Sequence, residues 1–457
     1  MPDDYPSTAT STVRAVLNEL FGPPSGRFFN VRLWDGSEDR GGAVDTPFTL
    51  VVRRPGAFRR MFLPPSELVL GEAFLRDDFD IEGSFEAAAT LADTVTGRLS
   101  SPLVLVRLVK LLRALPTDDL PASLQPRPRV KELRGEQHSK QRDATAVRSH
   151  YDVGNDFYAL WLDSRMVYSC AYFQEPAWDL DAAQDAKLEL LCRKLRLQPG
   201  ERLLDIGCGW GALIMHAAER YGVRATGITL SEPQATLARA RISAAGLADR
   251  CRVEVRDYRD MRNETFDKVI SVGMYEHVGR ARMKTYFSKA LELTAPGGLF
   301  LNHGIVTGPT QFTGVAEWVR AKLWREGSFV QKYVFPDGDV LRPGEVVDMA
   351  EQVGFETRDV ENLREHYAMT LRHWVRRLEK RHDDAVNLVG EDTYRVWRLY
   401  MSAYALAFTT ARVGIVQTLL SKTGRDGVCH LPLTREDLYR PKSQELTPQE
   451  STGRASS

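Results

Sequence analysis

The hydrophobic pattern divides this chain into two regimes. Up to about residue 120 the apolar runs are short. Residues 28–34, 48–54 and 67–70 read as strands, with turn chemistry at Asp35-Gly36, Gly41-Gly42 and Pro55-Gly56. Phe85–Val95 reads as a helix, and 101–115 (SPLVLVRLVKLLRAL) as a cationic, strongly apolar one. From about 183 helix and strand periods alternate: helix 183–196, a strand ending at Ile206, a helix to Tyr221, strand 223–229, helix 232–245, strands 252–256 and 267–272, helix 281–294 and strand 299–306. Helical segments follow near 315–327 and 343–353, then a strand near 356–361, long helices near 364–382 and 392–411, and a last β-like run, Val413–Leu420. Alternating β and α units predict an α/β fold with a doubly wound, mostly parallel sheet.

This pattern predicts five segments: a polar, frayed N-terminus over 1–24, a small α+β domain over 25–120, a basic linker over 121–147, an α/β domain over 148–424, and a polar, disordered tail over 425–457. Two or three domains suit 457 residues. Lys+Arg and Asp+Glu both number 61, which lacks the basic excess of a nucleic-acid binder. The five cysteines form no CxxC pair, so reduced thiols and a cytoplasmic location are expected, with no metal site. MPDDYPSTAT does not read as a signal peptide, and no run of about 18 apolar residues exists to span a bilayer. The linker carries seven Lys/Arg against three Asp/Glu between Arg127 and Arg148, which fits a solvated tether or a contact with anionic headgroups. A second basic stretch, Leu371–Arg381, has the same two readings.

Candidate chemistry begins at Leu203–Gly211, LLDIGCGWG, between a buried strand and a helix start. Gly207, Gly209 and Gly211 let the backbone turn and approach a ligand closely, and the helix start adds unpaired N–H donors. A lone glycine-rich turn is weak. Asp205 sharpens it, because a carboxylate immediately before the glycines suits the ammonium of a methionine moiety. Asp257 ends the third strand, where an adenine would lie. FDKVIS (266–271) and Pro296-Gly297-Gly298 complete an order that resembles the class I S-adenosylmethionine methyltransferases. Thr229 stands where most of that class place a ribose-binding acid.

That departure points to a subgroup. HYDVGNDFY (150–158), MVYSCAYF (166–173), LDIGCGWG (204–211), GITLSEPQ (227–234), SVGMYEHVG (271–279), LNHGIV (301–306) and REHYAMTL (364–371) together resemble the cyclopropane fatty acid synthase family, over roughly 140–422. The resemblance implies a class I methyltransferase sheet with inserted lid helices. It also implies S-adenosylmethionine as cofactor, held by Tyr168, Ser169, Gly207, Gly209, Thr229, Leu230, Gln234, Asp257 and Tyr258. At the last two positions relatives have an aromatic before an acid, and here the order is reversed. A bicarbonate ion is implied beside the transferred methyl, held by Cys170 and Ile305 through their backbone and by Glu276, His303 and Tyr367. Residues 25–120 resemble the N-terminal domain of phospholipid-acting members. This implies unsaturated phospholipid acyl chains as substrate, peripheral association with the inner membrane face, and a homodimer.

The chemistry is self-consistent. An alkene is a weak nucleophile, and a sulfonium methyl is a strong electrophile. Attack leaves a mid-chain carbocation that must be shielded from water, and the faces of Tyr168, Tyr172, Phe173, Tyr275 and Tyr367 can stabilise it at about 1–2 kcal/mol each when desolvated. A base then removes a proton. Taken singly, Cys170, His303 and Tyr367 fit ordinary core packing, and Trp161 and Trp210 fit core or pocket wall. Glu276 is harder to dismiss, because an unpaired buried carboxylate is costly. Proton loss from the new methyl closes a cyclopropane. Loss after a hydride shift gives a methylene chain, which a separate flavin-dependent reductase would convert to a methyl branch. A non-catalytic lipid carrier is the remaining alternative.

Overall fold

Short alternating runs in the first hundred residues pair into a small sheet of their own. The computed structural model describes residues 5–117, 119, 135–151, 153–309 and 328–439. In it, β1 (Asn30–Arg32), β2 (Glu38–Asp39), β3 (Phe48–Val52) and β4 (Phe79–Gly83) lie in the order β2-β1-β3-β4. Helix Tyr5–Phe21 packs beside this sheet against helices Leu91–Leu99 and Pro102–Arg113. The expectation of a frayed N-terminus over 1–24 is therefore corrected for Tyr5–Phe21; residues 1–4 lie outside the described residues. Val13, Val16, Leu17 and Leu20, spaced i, i+3, i+4 and i+7, are all fully buried; the polar residues ahead of Val13 obscured that stripe.

The strand expected at 67–70 is likewise corrected, because it is the start of helix Glu67–Leu75, capped by Ser66 Oγ accepting from Val69 N–H at 3.1 Å. A four-residue apolar run cannot distinguish strand from helix by period, and here the cap decides. The tail is ordered further than expected. Helix Glu436–Tyr439 buries Leu438, and Asp437 pairs with Arg196 at 3.1 Å. Most of the linker, including Arg127, Arg129 and Lys131, and the helix expected at 315–327 lie outside the described residues.

The second half forms a seven-stranded sheet from β5 (Arg202–Ile206), β6 (Arg224–Thr229), β7 (Cys251–Val255), β8 (Phe266–Val272), β9 (Thr294–Thr307), β10 (Glu356–Asn362) and β11 (Val413–Ser421). Its order is β10-β11-β9-β8-β5-β6-β7, and only β11 runs antiparallel to its neighbours. Helices cover both faces, so central strands such as β5 are buried on both sides and read as apolar runs.

The two sheets are held together through helix Glu391–Thr409. Arg395 pairs with Asp77 at 3.0 Å and Asp80 at 3.3 Å, and Arg398 donates to Ile81 O at 3.0 Å. Phe329 packs over Gly71, where a Cβ would lie 2.2 Å from its ring. We expect Leu17→Ala to cost about 2–4 kcal/mol, as a core truncation does. Chemical denaturation followed by tryptophan fluorescence measures this, and a change below about 0.5 kcal/mol would mean that the first helix is dispensable.

Candidate active site

Strand order reverses at β5, which has β6 on one side and β8 on the other. In open α/β sheets the crevice beyond the strand ends at such a point receives the ligand. Here β5 runs through Asp205 into Gly207 (φ +88°) and Gly209 (φ +53°), left-handed conformations that glycine adopts without strain. A cavity of about 340 Å³ opens beside this turn. Its wall includes ten of the eleven residues expected to meet a cofactor: Tyr168, Ser169, Asp205, Gly207, Gly209, Thr229, Leu230, Gln234, Asp257 and Tyr258. Gly211 is the exception and is corrected. It starts helix Ala212–Tyr221 with φ +83°, and a Cβ there would press on Ala238 at 3.3 Å, so its glycine serves helix packing.

The cavity wall is polar in a few fixed places. Thr229 Oγ1 donates to Gln234 Oε1 at 2.9 Å. Asp257 accepts from Arg259 at 2.6 Å, and Arg259 also pairs with Asp143 at 3.0 Å. Asp205 is almost fully buried, and its Oδ1 finds no partner among the described residues. Burial lifts its carboxyl to about 7, opposed by the charge of Lys187. An enclosed carboxylate oxygen beside an open glycine turn suits a cationic ligand group, so the residues present fit the methionine end of S-adenosylmethionine.

The five residues expected to hold an anion form a second, adjoining set that does not line this cavity. Long β9 supplies His303 and Ile305, which share a face by alternation. Glu276, in the turn after β8, accepts from Ile305 N–H at 2.7 Å through Oε1, while Oε2 is enclosed without a partner among the described residues. Burial raises the Glu276 carboxyl to about 7. His303 faces Gln417 of β11 in register, and Gln417 Nε2 lies 3.1 Å from its Nδ1, leaving Nε2 enclosed and unpartnered among the described residues. Burial presses the His303 pKa far below its usual range, so the ring is neutral. With Gln417 donating to Nδ1, the proton sits on Nε2 and is offered to a ligand. Cys170 is fully buried, its thiol pushed up by burial, and Tyr367 lies within electrostatic range of both Cys170 and Glu276. An enclosed carboxyl oxygen and an enclosed imidazole N–H without partners fit a small oxyanion.

Aromatic residues surround this set, though not all those expected. Tyr168 packs 5.2 Å from Trp374, 5.3 Å from Tyr158 and 5.5 Å from Trp161, while Tyr367 meets Phe408 at 4.7 Å and Trp374 at 5.9 Å. Tyr172 and Phe173 instead stack on His366 and His373 of helix Arg364–Lys380, so their assignment to cation stabilisation is corrected. Tyr275 is a structural prop: its hydroxyl donates to Ile305 O, and its ring fills the space that a Cβ on Gly304 would need. Trp161, read as wall or core, belongs to the aromatic shell, and Trp210 lines the cofactor cavity.

Sequence reasoning missed Lys187, Tyr151, His138 and Arg259, all on the cavity wall. Lys187 had a readable signal. In helix Leu180–Leu195 the inward stripe runs Leu180, Ala183, Gln184, Lys187, Leu188, Leu191, and so places a lysine on the apolar face. Gln184 on that stripe donates to Val167 O at 3.2 Å and Ser169 O at 2.9 Å, fixing the backbone on either side of Tyr168.

Comparison with known proteins gives a consistent picture. The family model described as mycolic acid cyclopropane synthetase matches residues 138–418, and a domain of unknown function matches 16–95. A probable fatty acid methyltransferase of Pseudomonas putida is 40% identical over 412 residues, covering 90% of this chain and 96% of that protein. The cyclopropane-fatty-acyl-phospholipid synthase of Escherichia coli (strain K12) is 34% identical over 290 residues, covering 64% of this chain and 71% of the relative. The crystal structure of mycolic acid cyclopropane synthase CmaA1 complexed with SAH and CTAB superposes with a TM-score of 0.58 at 33% identity, covering 61% of this chain and 98% of that one.

The raised Glu276 pKa carries a stability signature. The folded state holds this proton more tightly than the unfolded chain. Glu276 therefore costs nothing below about pH 4.5, and its penalty grows until the carboxyl ionises near 7. Glu276→Gln should stabilise the protein at pH 8 by on the order of 2–3 kcal/mol and leave it nearly unchanged at pH 4.5. Thermal unfolding at the two pH values checks this, and equal shifts at both would contradict a buried ionisation. Gly304→Ala should cost several kcal/mol by displacing the Tyr275 ring, measured the same way.

Proposed function

The chain belongs to the mycolic acid cyclopropane synthetase family, and from that premise we propose that it is an S-adenosylmethionine-dependent methyltransferase that adds a methylene across the double bond of an unsaturated phospholipid acyl chain to form a cyclopropane. The observation that carries this reading is the pair of enclosed, unpartnered polar atoms, Glu276 Oε2 and His303 Nε2, with Tyr151, Tyr367 and Tyr400 of the aromatic region within electrostatic range of Glu276. A hydrolase or a methyltransferase acting on oxygen would not need such dryness.

The cofactor supplies an electrophilic methyl. The protein's own groups supply the rest. Asp205 and the Gly207–Gly209 turn hold the methionine end, and Thr229, Gln234, Asp257 and Tyr258 lie along the remainder of the cavity. Tyr168, Tyr367 and the two tryptophans exclude water and turn ring faces toward a mid-chain cation. Ring closure requires that one proton leave the added methyl. A bicarbonate held by His303 Nε2–H, Tyr367 and the Cys170 backbone would take it, and Glu276, which ionises near 7, can exchange a proton with that anion.

An apolar cavity of about 350 Å³ between the small domain and helix Glu391–Thr409 suits the acyl chain. Phe62, Phe74, Phe79 and Leu399 line it together with Tyr400, which also packs on Trp397 of the aromatic cluster. Helix Pro102–Arg113 leaves Leu103 and Val106 exposed beside Arg107, Lys110 and Arg113, a surface suited to a membrane face. No helix among the described residues is long and apolar enough to cross a membrane.

The Pseudomonas putida relative, which matches nearly the whole chain, is named only as a probable fatty acid methyltransferase, a description that a second product also fits: a methylene chain from the same transfer, which a separate flavin-dependent reductase would convert to a methyl branch. Mass spectrometry of vesicles containing monounsaturated phospholipid, incubated with the enzyme and S-adenosylmethionine, separates the two. A ring-specific fragment pattern is expected, and an exomethylene product would replace the first reading with the second. Glu276→Gln should bind SAH as tightly as wild type and lose turnover by at least about a hundredfold; near-normal turnover would remove the role given to Glu276.

A further inference from the structure

Lys187 is an anomaly in its surroundings. It sits in the middle of a helix on the apolar stripe and is only 2% exposed. Its Nζ donates to Ser169 Oγ at 2.9 Å, a neutral partner, and makes no ion pair among the described residues. An ammonium has three protons to donate, and burying one without an anion is costly.

The acidic groups around Lys187 do not meet that need. Asp163 is committed to the N–H groups of Arg165 at 2.9 Å and Val167 at 2.8 Å. Cys170 and Cys192 act on Lys187 only through their charged forms, and burial holds the Cys170 thiol neutral. Asp205 interacts with Lys187 at a distance and keeps its own enclosed oxygen free. His303 also lies within electrostatic range and is neutral. Lys187, Ser169 and Asp205 all line the same cavity, and Tyr168 and the glycine turn complete that end of it. A cation and an anion are thus presented to one small enclosed space without touching each other. A free α-amino acid end carries the complementary pair.

We propose that Lys187 is a positioning residue for the cofactor, its ammonium pairing with the carboxylate of the methionine moiety while Asp205 takes the amino group. Ser169, which Lys187 holds by its hydroxyl, offers a second donor to the same carboxylate. The inference rests on S-adenosylmethionine being the cofactor. It adds that recognition of its amino-acid end is by a split ion pair.

The test is calorimetric and needs no turnover. The full-length protein is titrated with SAH and with its decarboxylated analogue, in wild type, Lys187→Met and Lys187→Gln. Two independent replacements guard against one that fails to fold. Wild type should bind the decarboxylated ligand about tenfold or more weakly than SAH, the scale of one hydrogen bond to a charged group. Both variants should bind the two ligands within about twofold of each other, with SAH weakened and the analogue unchanged. Asp205→Asn should weaken both ligands equally. Burial brings the Lys187 ammonium down to about 8 in the free protein. The wild-type preference should therefore be full below pH 8 and fade above it, whereas the variants show no such slope. A tenfold preference that persists in the variants overturns the inference and leaves Lys187 as a prop for Ser169. No binding of SAH by wild type removes the cofactor reading, and this inference with it.

Discussion

Four ionisable side chains are held out of water in two adjoining sets, Lys187 and Asp205 on the cavity wall and Glu276 and His303 beside it, and this constraint governs the rest of the structure. Each would be more stable hydrated, and the shifts of Asp205 and Glu276 up to about 7 and of Lys187 down to about 8 record that cost. Such groups persist only where the surrounding packing leaves them no alternative. The packing is aromatic: Tyr158, Trp161, Tyr367, Trp374 and Trp397 belong to one buried cluster with Tyr168 packed against it, and Tyr367, Trp374 and Trp397 come from the two long C-terminal helices. The dryness that makes the polar groups expensive is the dryness that the proposed carbocation route would require.

The sheet converts this constraint into geometry. β5 ends at the reversal of strand order and delivers Asp205 and the glycine turn. β9 is twice the usual strand length and carries His303 and Ile305 on one face. The antiparallel β11 then places Gln417 opposite His303 in register, which fixes the imidazole through Nδ1. Gly304 between them is small because the Tyr275 ring passes there, and the Tyr275 hydroxyl anchors the same strand at Ile305 O. Glu276 follows Tyr275 directly and is brought to Ile305 N–H by that placement.

Much of this was legible in the residues. The alternating periods predicted all seven strands of the large sheet, and the glycine turn with Asp205 predicted the crevice, because both are local signals. What was missed depended on tertiary context. The buried stripe of helix Tyr5–Phe21 begins only at Val13, so its polar first turns read as a frayed end. The run at 67–70 is too short for its period to be decided. Gly211 matched a motif in sequence but faces the neighbouring helix Glu232–Ala244. Tyr172 and Phe173 lie in a motif with Tyr168, yet they meet His366 and His373 of helix Arg364–Lys380, a tertiary neighbour that the motif does not specify. Lys187 was readable from helical spacing alone, but a lysine among leucines draws attention only when its face is known to be buried.

Helix Glu391–Thr409 links the two domains, joining the region matched over 138–418 to the one matched over 16–95. On one side Trp397, Tyr400 and Met401 belong to the buried aromatic cluster that contains Tyr367. On the other, Arg395 and Arg398 are bound by Asp77, Asp80 and the Ile81 carbonyl of the small domain. Arg395 is nearly buried and adds a bond to Phe74 O at 2.9 Å, so these are enclosed charge-assisted contacts rather than loose surface pairs. The apolar cavity between the domains lies along the same helix. The small domain thus lines the space beside the aromatic cluster and is tied by these contacts to the helix that carries part of that cluster.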